Sequence, residues 1–404
     1  MTDATPYTTA NNPFGELVFY GWAGSFYASK TRSYLRKAKV PFREIAMGHP
    51  HYATVVQPVI ERPVVPVIQT VDGVIVQDSN DIADYITAHN LAGRNLVPAT
   101  PVQQITAHIL DFMFSEMLPR FALFTRWSHY HTQEHFVRDT FGASILGFGA
   151  HADSASRKFV ADTVRDSAIN ILTSFGIEQS THQLIEQQYR DFLDLLSAHF
   201  QVYPYLFGFA ESVADCALNG SLYPHLARDP YPGMIMRERA PQVLRYAERM
   251  CQQDFDMPEY VDAQPGRFVE GDGLPETLKA TVRFMANEYL PELKAAFAVF
   301  EDWASQQERA PGTPLLPVKV ARSVGRTEFK VRGINMRCIA QTNTFWSLQR
   351  VHDAFDSLTQ SDQETVRNAC QSMGASEILD LRPAHRLARH QYAEVWAGPT
   401  VKPT

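Results

Sequence analysis

The apolar positions of this chain change period twice. Between residues 17 and 90, short apolar runs alternate with helical stripes. "LVFYGW" (17–22) reads as a buried strand, "ASKTRSYLRKAKV" (28–40) as a helix with a strongly basic, solvated face, and "PFREIAM" (41–47) as a second strand. Residues 52–62 read as a short helix weakened by Pro58. "VVPVIQTV" and "VIVQ" bracket Asp72-Gly73, a two-residue hairpin signal. From Ser79 onward, Ile82, Tyr85, Ile86 and His89 recur at helical spacing. The order β-α-β-α-β-β-α predicts an α/β sheet layered with helices.

After "LAGRNLVPATP" (91–101), a proline-bearing linker, the pattern becomes helical almost throughout. Ile105, Ile109, Phe112 and Met113 form one stripe, and Ile185, Tyr189, Phe192, Leu196 and Phe200 another. Val213, Ala217, Leu218 and Leu222 form a third, and Val243, Tyr246 and Met250 a shorter one. Residues 256–277 read as a second linker. A long amphipathic segment, Leu278 to Trp303, follows, with Pro291 expected to kink or divide it. Residues 329–340 alternate around Gly333 as a small hairpin, and one or two helices close the chain. The expected organisation is an α/β domain over 17–92, an all-helical domain over 101–255 and an α(+β) extension over 276–404.

Composition narrows the function classes. The chain has 404 residues, 45% hydrophobic and 20% charged, enough for two or three ordinary globular domains. Its net charge of −7 argues against nucleic acid or an acidic membrane surface as partner. The four cysteines, at 216, 251, 338 and 370, form no CxxC pair, so neither a zinc ribbon nor a dithiol redox motif is present. His129, His131 and His135 tempt a metal reading, but spacings of two and six do not put three rings on one helix face, and no metal is expected. "MTDATPYTTANNPFGE" contains no apolar signal-like core, and no apolar run approaches the ~18–20 residues of a membrane helix. A cytoplasmic location is the expectation.

The proline inside "VVPV" raises the main chemical question. A proline removes a ladder hydrogen bond, and it is tolerated where the preceding peptide is cis and the backbone faces something other than a strand. The residue before it can then offer its N–H and C=O to an extended peptide ligand. Ser79 stands where a helix cap is expected, with free N–H groups behind it that suit a carboxylate. Together these features describe a site for a short peptide with an acidic end.

With Val65-Pro66, Asp78-Ser79, and Ile82 and Tyr85 behind them, the block 17–90 resembles the thioredoxin-like N-terminal domain of the glutathione S-transferase superfamily. "PYLFGFAESVADCALNGSLYPHL" (204–226) resembles that family's helical domain, with Ser212 and Asp215 at capping-box spacing and a role in folding. The resemblance covers residues 17 to about 250 and is to a long, bacterial-type branch with a C-terminal extension. It implies a cis Val65-Pro66 bond, main-chain pairing of Val65 with the cysteinyl unit of glutathione, and capture of the γ-glutamyl end by Asp78 and Ser79. Asp78 is one methylene shorter than the family's usual Glu or Gln.

The same resemblance places Ser25 at the position of the thiol-activating residue. A serine hydroxyl there donates to the thiolate, and a helix N-terminus adds partial positive charge. The thiolate would attack a small apolar electrophile in a second pocket, for which Tyr27, Trp127 and Tyr130 are the candidates. Glutathione is the implied co-substrate. Ser25 reads equally as a plain helix cap. The competing reading is a binding or assembly protein that keeps the fold without turnover. The family commonly forms homodimers. Three roles stay open for the extension: joining two copies, covering the active site, or holding a partner.

Overall fold

The computed structural model describes residues 8–146, 153–317 and 322–400. Four strands form the first sheet: β1 (Val18–Gly21), β2 (Arg43–Ala46), β3 (Val67–Gln69) and β4 (Ile75–Gln77), in the order β2-β1-β3-β4. β1 runs parallel to β2, and β3 lies antiparallel to both β1 and β4. Alternation along β1 sorts its side chains to two faces. Phe19, with Ile68 and Val76, meets Ala28 and Leu35 of α1 (Phe26–Lys37) and Ile82 and Ile86 of α3 (Ser79–Ala88). Val18 and Tyr20 face the other way, onto Tyr52, Val56 and Ile60. Those three come from a π-helical turn (Tyr52–Val56) and the short α2 (Gln57–Ile60), where Pro58 sits in the first turn, the position a helix tolerates. The predicted element order is the observed one.

The basic face of α1 is not solvated, contrary to the expectation from sequence. Lys30, Arg32 and Lys37 are all buried. Lys30 reaches Asp111 at 2.7 Å, Arg32 reaches Glu44, and Lys37 pairs with Glu211 at 3.0 Å with both side chains fully enclosed. Asp111 and Glu211 lie far along the chain, so a local pattern could not reveal them. A buried cation persists only when so paired.

The helical region comprises α4 (Pro101–Leu123), α5 (Tyr130–Leu146), α6 (Ser154–Ile171), α7 (His182–Phe200), α8 (Val213–Ser221), α9 (Pro230–Arg239) and α10 (Pro241–Met250). α8 packs against both α1 and α4, and its start carries the capping box read from the sequence. Asp215 accepts from the Leu206 and Ser212 N–H groups, the Ser212 hydroxyl and the Tyr246 hydroxyl. The expected linker 256–277 is packed instead: Asp272 accepts from Val102 and Gln103 at the start of α4.

Beyond it, α11 (Glu276–Ser305) runs on through Pro291 rather than dividing there. The small hairpin read from the sequence is longer than expected, formed by β5 (Ser323–Val331) and β6 (Ile334–Gln341). Two helices follow, α12 (Thr342–Asp356) and α13 (Gln360–Ser372), both against α4. A last hairpin, β7 (His385–His390) and β8 (Ala393–Pro399), was not expected. One apolar core runs from Phe19 through α4 and α7 to Phe345 and Trp396, so the extension shares the core of the preceding helices.

Asp215→Ala would leave several buried donors without an acceptor. It is expected to cost about 3 kcal/mol or more of unfolding free energy in urea titration. A cost under about 1 kcal/mol would contradict the assigned folding role of this residue.

Candidate functional site at the start of α3

The Val65–Pro66 bond is cis, as the resemblance implies. The Val65 N–H and C=O take no partner among the described residues, because ladder pairing with β4 begins only at Val67. The Pro66 carbonyl accepts from the Asp78 N–H at 3.3 Å, which seats this bend against the start of α3.

The helix cap is Asp78 and not Ser79. The Asp78 carboxylate accepts from the Asn80 N–H at 2.9 Å, and Ser79 is the first helical residue. Asp78 holds φ +91° and ψ 141°, a region almost reserved for glycine. Such strain persists only where the surroundings over-determine it. No hydrogen bond reaches the Ser79 hydroxyl or N–H among the described residues. The open N–H groups of a helix start attract an anion there.

Ser25 caps α1. Its side-chain oxygen accepts from the Ala28 N–H at 3.3 Å, and it is half-buried. Accepting that bond leaves the O–H free to donate. The preceding loop is fixed from behind. Arg126, fully enclosed, donates to the Gly24 carbonyl at 3.2 Å and to Pro224, and grips Asp229 with both arms. Gly24 has to be small, since a Cβ there would fall 2.3 Å from the Trp22 ring.

Of the three candidates for a second pocket, Trp127 and Tyr130 share one cluster and Tyr27 lies outside it. Tyr27 shows an exposed ring, while its hydroxyl donates to the Ser115 carbonyl on α4. Trp127 and Tyr130 stack on each other and are buried against Phe141, Ala161 and Ala168 of α5 and α6. Trp22, from the loop before Ser25, joins that cluster at 4.5 Å from Phe141. Trp22 was missed because it reads as the last residue of a strand. Near Tyr27 lies Glu116, which accepts from the Thr344 hydroxyl at 2.6 Å. Burial pushes its carboxyl up to about 7.

The largest surprise is the last hairpin. Arg389, with 3% of its side chain exposed, reaches Asp81 at 2.8 Å, Asp78 at 3.1 Å and Glu394 at 3.4 Å. It also donates to Asn343 at 2.6 Å and lies 3.6 Å over the Trp346 ring. At the hairpin tip, Tyr392 donates to the Ile75 carbonyl, and Arg62 joins Gln77 to the Tyr392 carbonyl. Burial works against the Asp78 anion, yet Arg389 and Arg322 outweigh it and hold its carboxyl below the usual range. Asp81, where burial prevails, is pushed up to about 6. Nothing in the local sequence announces this contact, because its partners are 308 residues apart.

Among the described residues, no group of three His, Cys, Asp or Glu is placed to hold a metal ion, and no helix is long and apolar enough to cross a membrane.

Comparison with known proteins fits this geometry. Residues 19–90 match the family model described as "Glutathione S-transferase, N-terminal domain". No curated protein matches. Similar solved structures include the beta-etherase LigF from Sphingobium sp. strain SYK-6, at 15% identity over 58% of this chain and 94% of that one, TM-score 0.40. A second is the glutathione S-transferase CsGST63524 of Ceriporiopsis subvermispora in complex with glutathione, at 18% identity over 62% and 100%, TM-score 0.38. A third is a glutathione S-transferase from Methylobacterium radiotolerans JCM 2831 with glutathione sulfonate, at 16% identity over 64% and 100%, TM-score 0.36. These likenesses are too distant to carry an argument about ligands. Residues 19–90 thus match a glutathione S-transferase N-terminal domain in sequence pattern and form a four-stranded mixed sheet layered with helices, followed by a helical region.

Two predictions follow from the site's physics. Asp78→Gly and Asp78→Ala both remove the carboxylate, but only glycine relieves the positive φ, so the glycine variant should be the more stable by about 1–2 kcal/mol. Equal stabilities in chemical denaturation would show that the backbone is not strained there. Glu116 binds its proton more tightly in the folded chain than in the unfolded one. Folding stability contributed by this proton is therefore present below the ordinary carboxyl range and is lost as pH rises toward about 7. Glu116→Gln should gain melting temperature relative to wild type on going from pH 5 to pH 8; a pH-independent difference would contradict the assignment.

Proposed function

We propose that the chain binds a glutathione-type peptide thiol along Val65 and the start of α3, and uses Ser25 to favour the thiolate for attack on a small electrophile. The observation that carries this reading is the unpaired Val65 main chain seated beside the open start of α3, within a domain matched to the glutathione S-transferase N-terminal family. A cysteinyl unit pairs with Val65 as an added strand would, and the acidic end meets Ser79. The Ser25 hydroxyl, held by its cap bond and free to donate, supports the sulfur anion together with the α1 dipole.

A second reading, a binding or assembly protein without turnover, is favoured by one observation. Arg389 already occupies Asp78. Retention of the wild-type chain on immobilised glutathione, followed by turnover with a panel of electrophiles, separates the two readings. Retention without thiol consumption on any of them would favour the second.

Ser25→Ala should leave the affinity for the protonated thiol, measured at low pH, unchanged and raise the bound thiol's pKa by about one unit. Turnover at neutral pH then falls about ten-fold. The lost cap also costs about 1 kcal/mol of stability. Unaltered turnover and thiolate absorbance would remove Ser25 from the chemistry and leave it a cap.

A further inference from the structure

We propose that Arg389 decides which thiol the site accepts: it serves as the counter-ion of Asp78 in the place a ligand ammonium would fill, so the site selects peptide thiols whose acidic end carries no free amine. This inference rests on the function proposed above and names the substrate class of that same site.

A free amino-acid end is a zwitterion, with its ammonium one carbon from its carboxylate. If the carboxylate meets Ser79, the ammonium falls beside the start of α3 and needs an anion. The two acids there, Asp78 and Asp81, both hold Arg389. The third acid of the cluster, Glu394, is shared between Arg389 and Arg322, the latter at 3.7 Å. Arg62 adds a further cation close by, bonded to Gln77 and to the Tyr392 carbonyl. The acids of this corner are already matched by guanidinium groups, and no unbalanced negative field is left for an incoming ammonium.

Arg389 is also not a cation that adjusts to a ligand. A guanidinium stays protonated, and its planar fork is fixed on several partners at once. The Trp346 ring lies under its face, and Asn343 accepts from its far arm. Bringing an ammonium into such a corner desolvates it without giving it a partner, which disfavours binding. An acylated nitrogen carries no such charge. Discrimination therefore arises from a built-in repulsive element and not from added contacts.

The test compares reduced glutathione with N-acetylated glutathione by calorimetric titration of the full chain. Wild type is expected to bind the acetylated thiol at least as tightly as the free amine. Arg389→Met is expected to swing the affinity ratio at least ten-fold toward the free amine. A ten-fold or greater preference of wild type for the free amine overturns the inference, as does a folded Arg389→Met chain with an unchanged ratio. The wild-type comparison decides by itself if the variant does not fold. If neither thiol binds wild type at millimolar concentration, the proposed function falls, and this inference with it.

Discussion

A buried guanidinium joins the first domain of this chain to its last hairpin. Arg389 brings Asp78 and Asp81 of the first domain onto Asn343, Trp346 and Glu394 of the extension. A charge taken out of water is tolerated only when its donors find acceptors, and this one has them from both sides. The constraint runs both ways. The last hairpin meets the start of α3 through Arg389, and the carboxylate of strained Asp78 is held in part by the extension. The corner that a peptide ligand would approach is thus built jointly by sequence segments from opposite ends of the chain.

The consequence for chemistry is a separation of tasks. The open main chain at Val65 and the first turn of α3 belong to the sheet domain alone, while the ionic character of the neighbouring corner is set by the extension. Ser25 is held by a third element. Arg126, from the turn after α4, fixes the loop before it through the Gly24 carbonyl, and Phe141 of α5 packs on Trp22 of that loop. Gly48, in the loop after β2, lies so close to α5 that a Cβ would fall 1.5 Å from the Ile145 carbonyl oxygen. The candidate thiol site is therefore framed by helices on one side and the last hairpin on another.

Much of this was legible in the sequence because it is local. The alternation around Val18, Phe19 and Tyr20, the Ser212–Asp215 capping box and the proline after Val65 each express a short-range rule and sit in the element they predict, and the hairpin around Asp72-Gly73 forms with a turn longer than the two residues read from it, Gln69 facing Ile75. What was not legible depends on partners distant in sequence. The basic stripe of α1 looks solvated until Asp111 and Glu211 come to meet it. Trp127 and Tyr130 look like pocket residues until α5 and α6 fold over them. The last hairpin lacks a glycine turn signal: Gln391 and Tyr392 adopt positive φ without one, so the segment carried no turn chemistry to read. The Asp78–Arg389 contact joins two residues whose pairing only the tertiary fold defines.

The most direct test of the account is a structure of the chain with a peptide thiol bound. The account predicts the cysteinyl main chain paired with the Val65 N–H and C=O, the sulfur within hydrogen-bond reach of the Ser25 hydroxyl, and Arg389 still on Asp78. A thiol seated elsewhere, or one that binds only after the last hairpin has left α3, would contradict it.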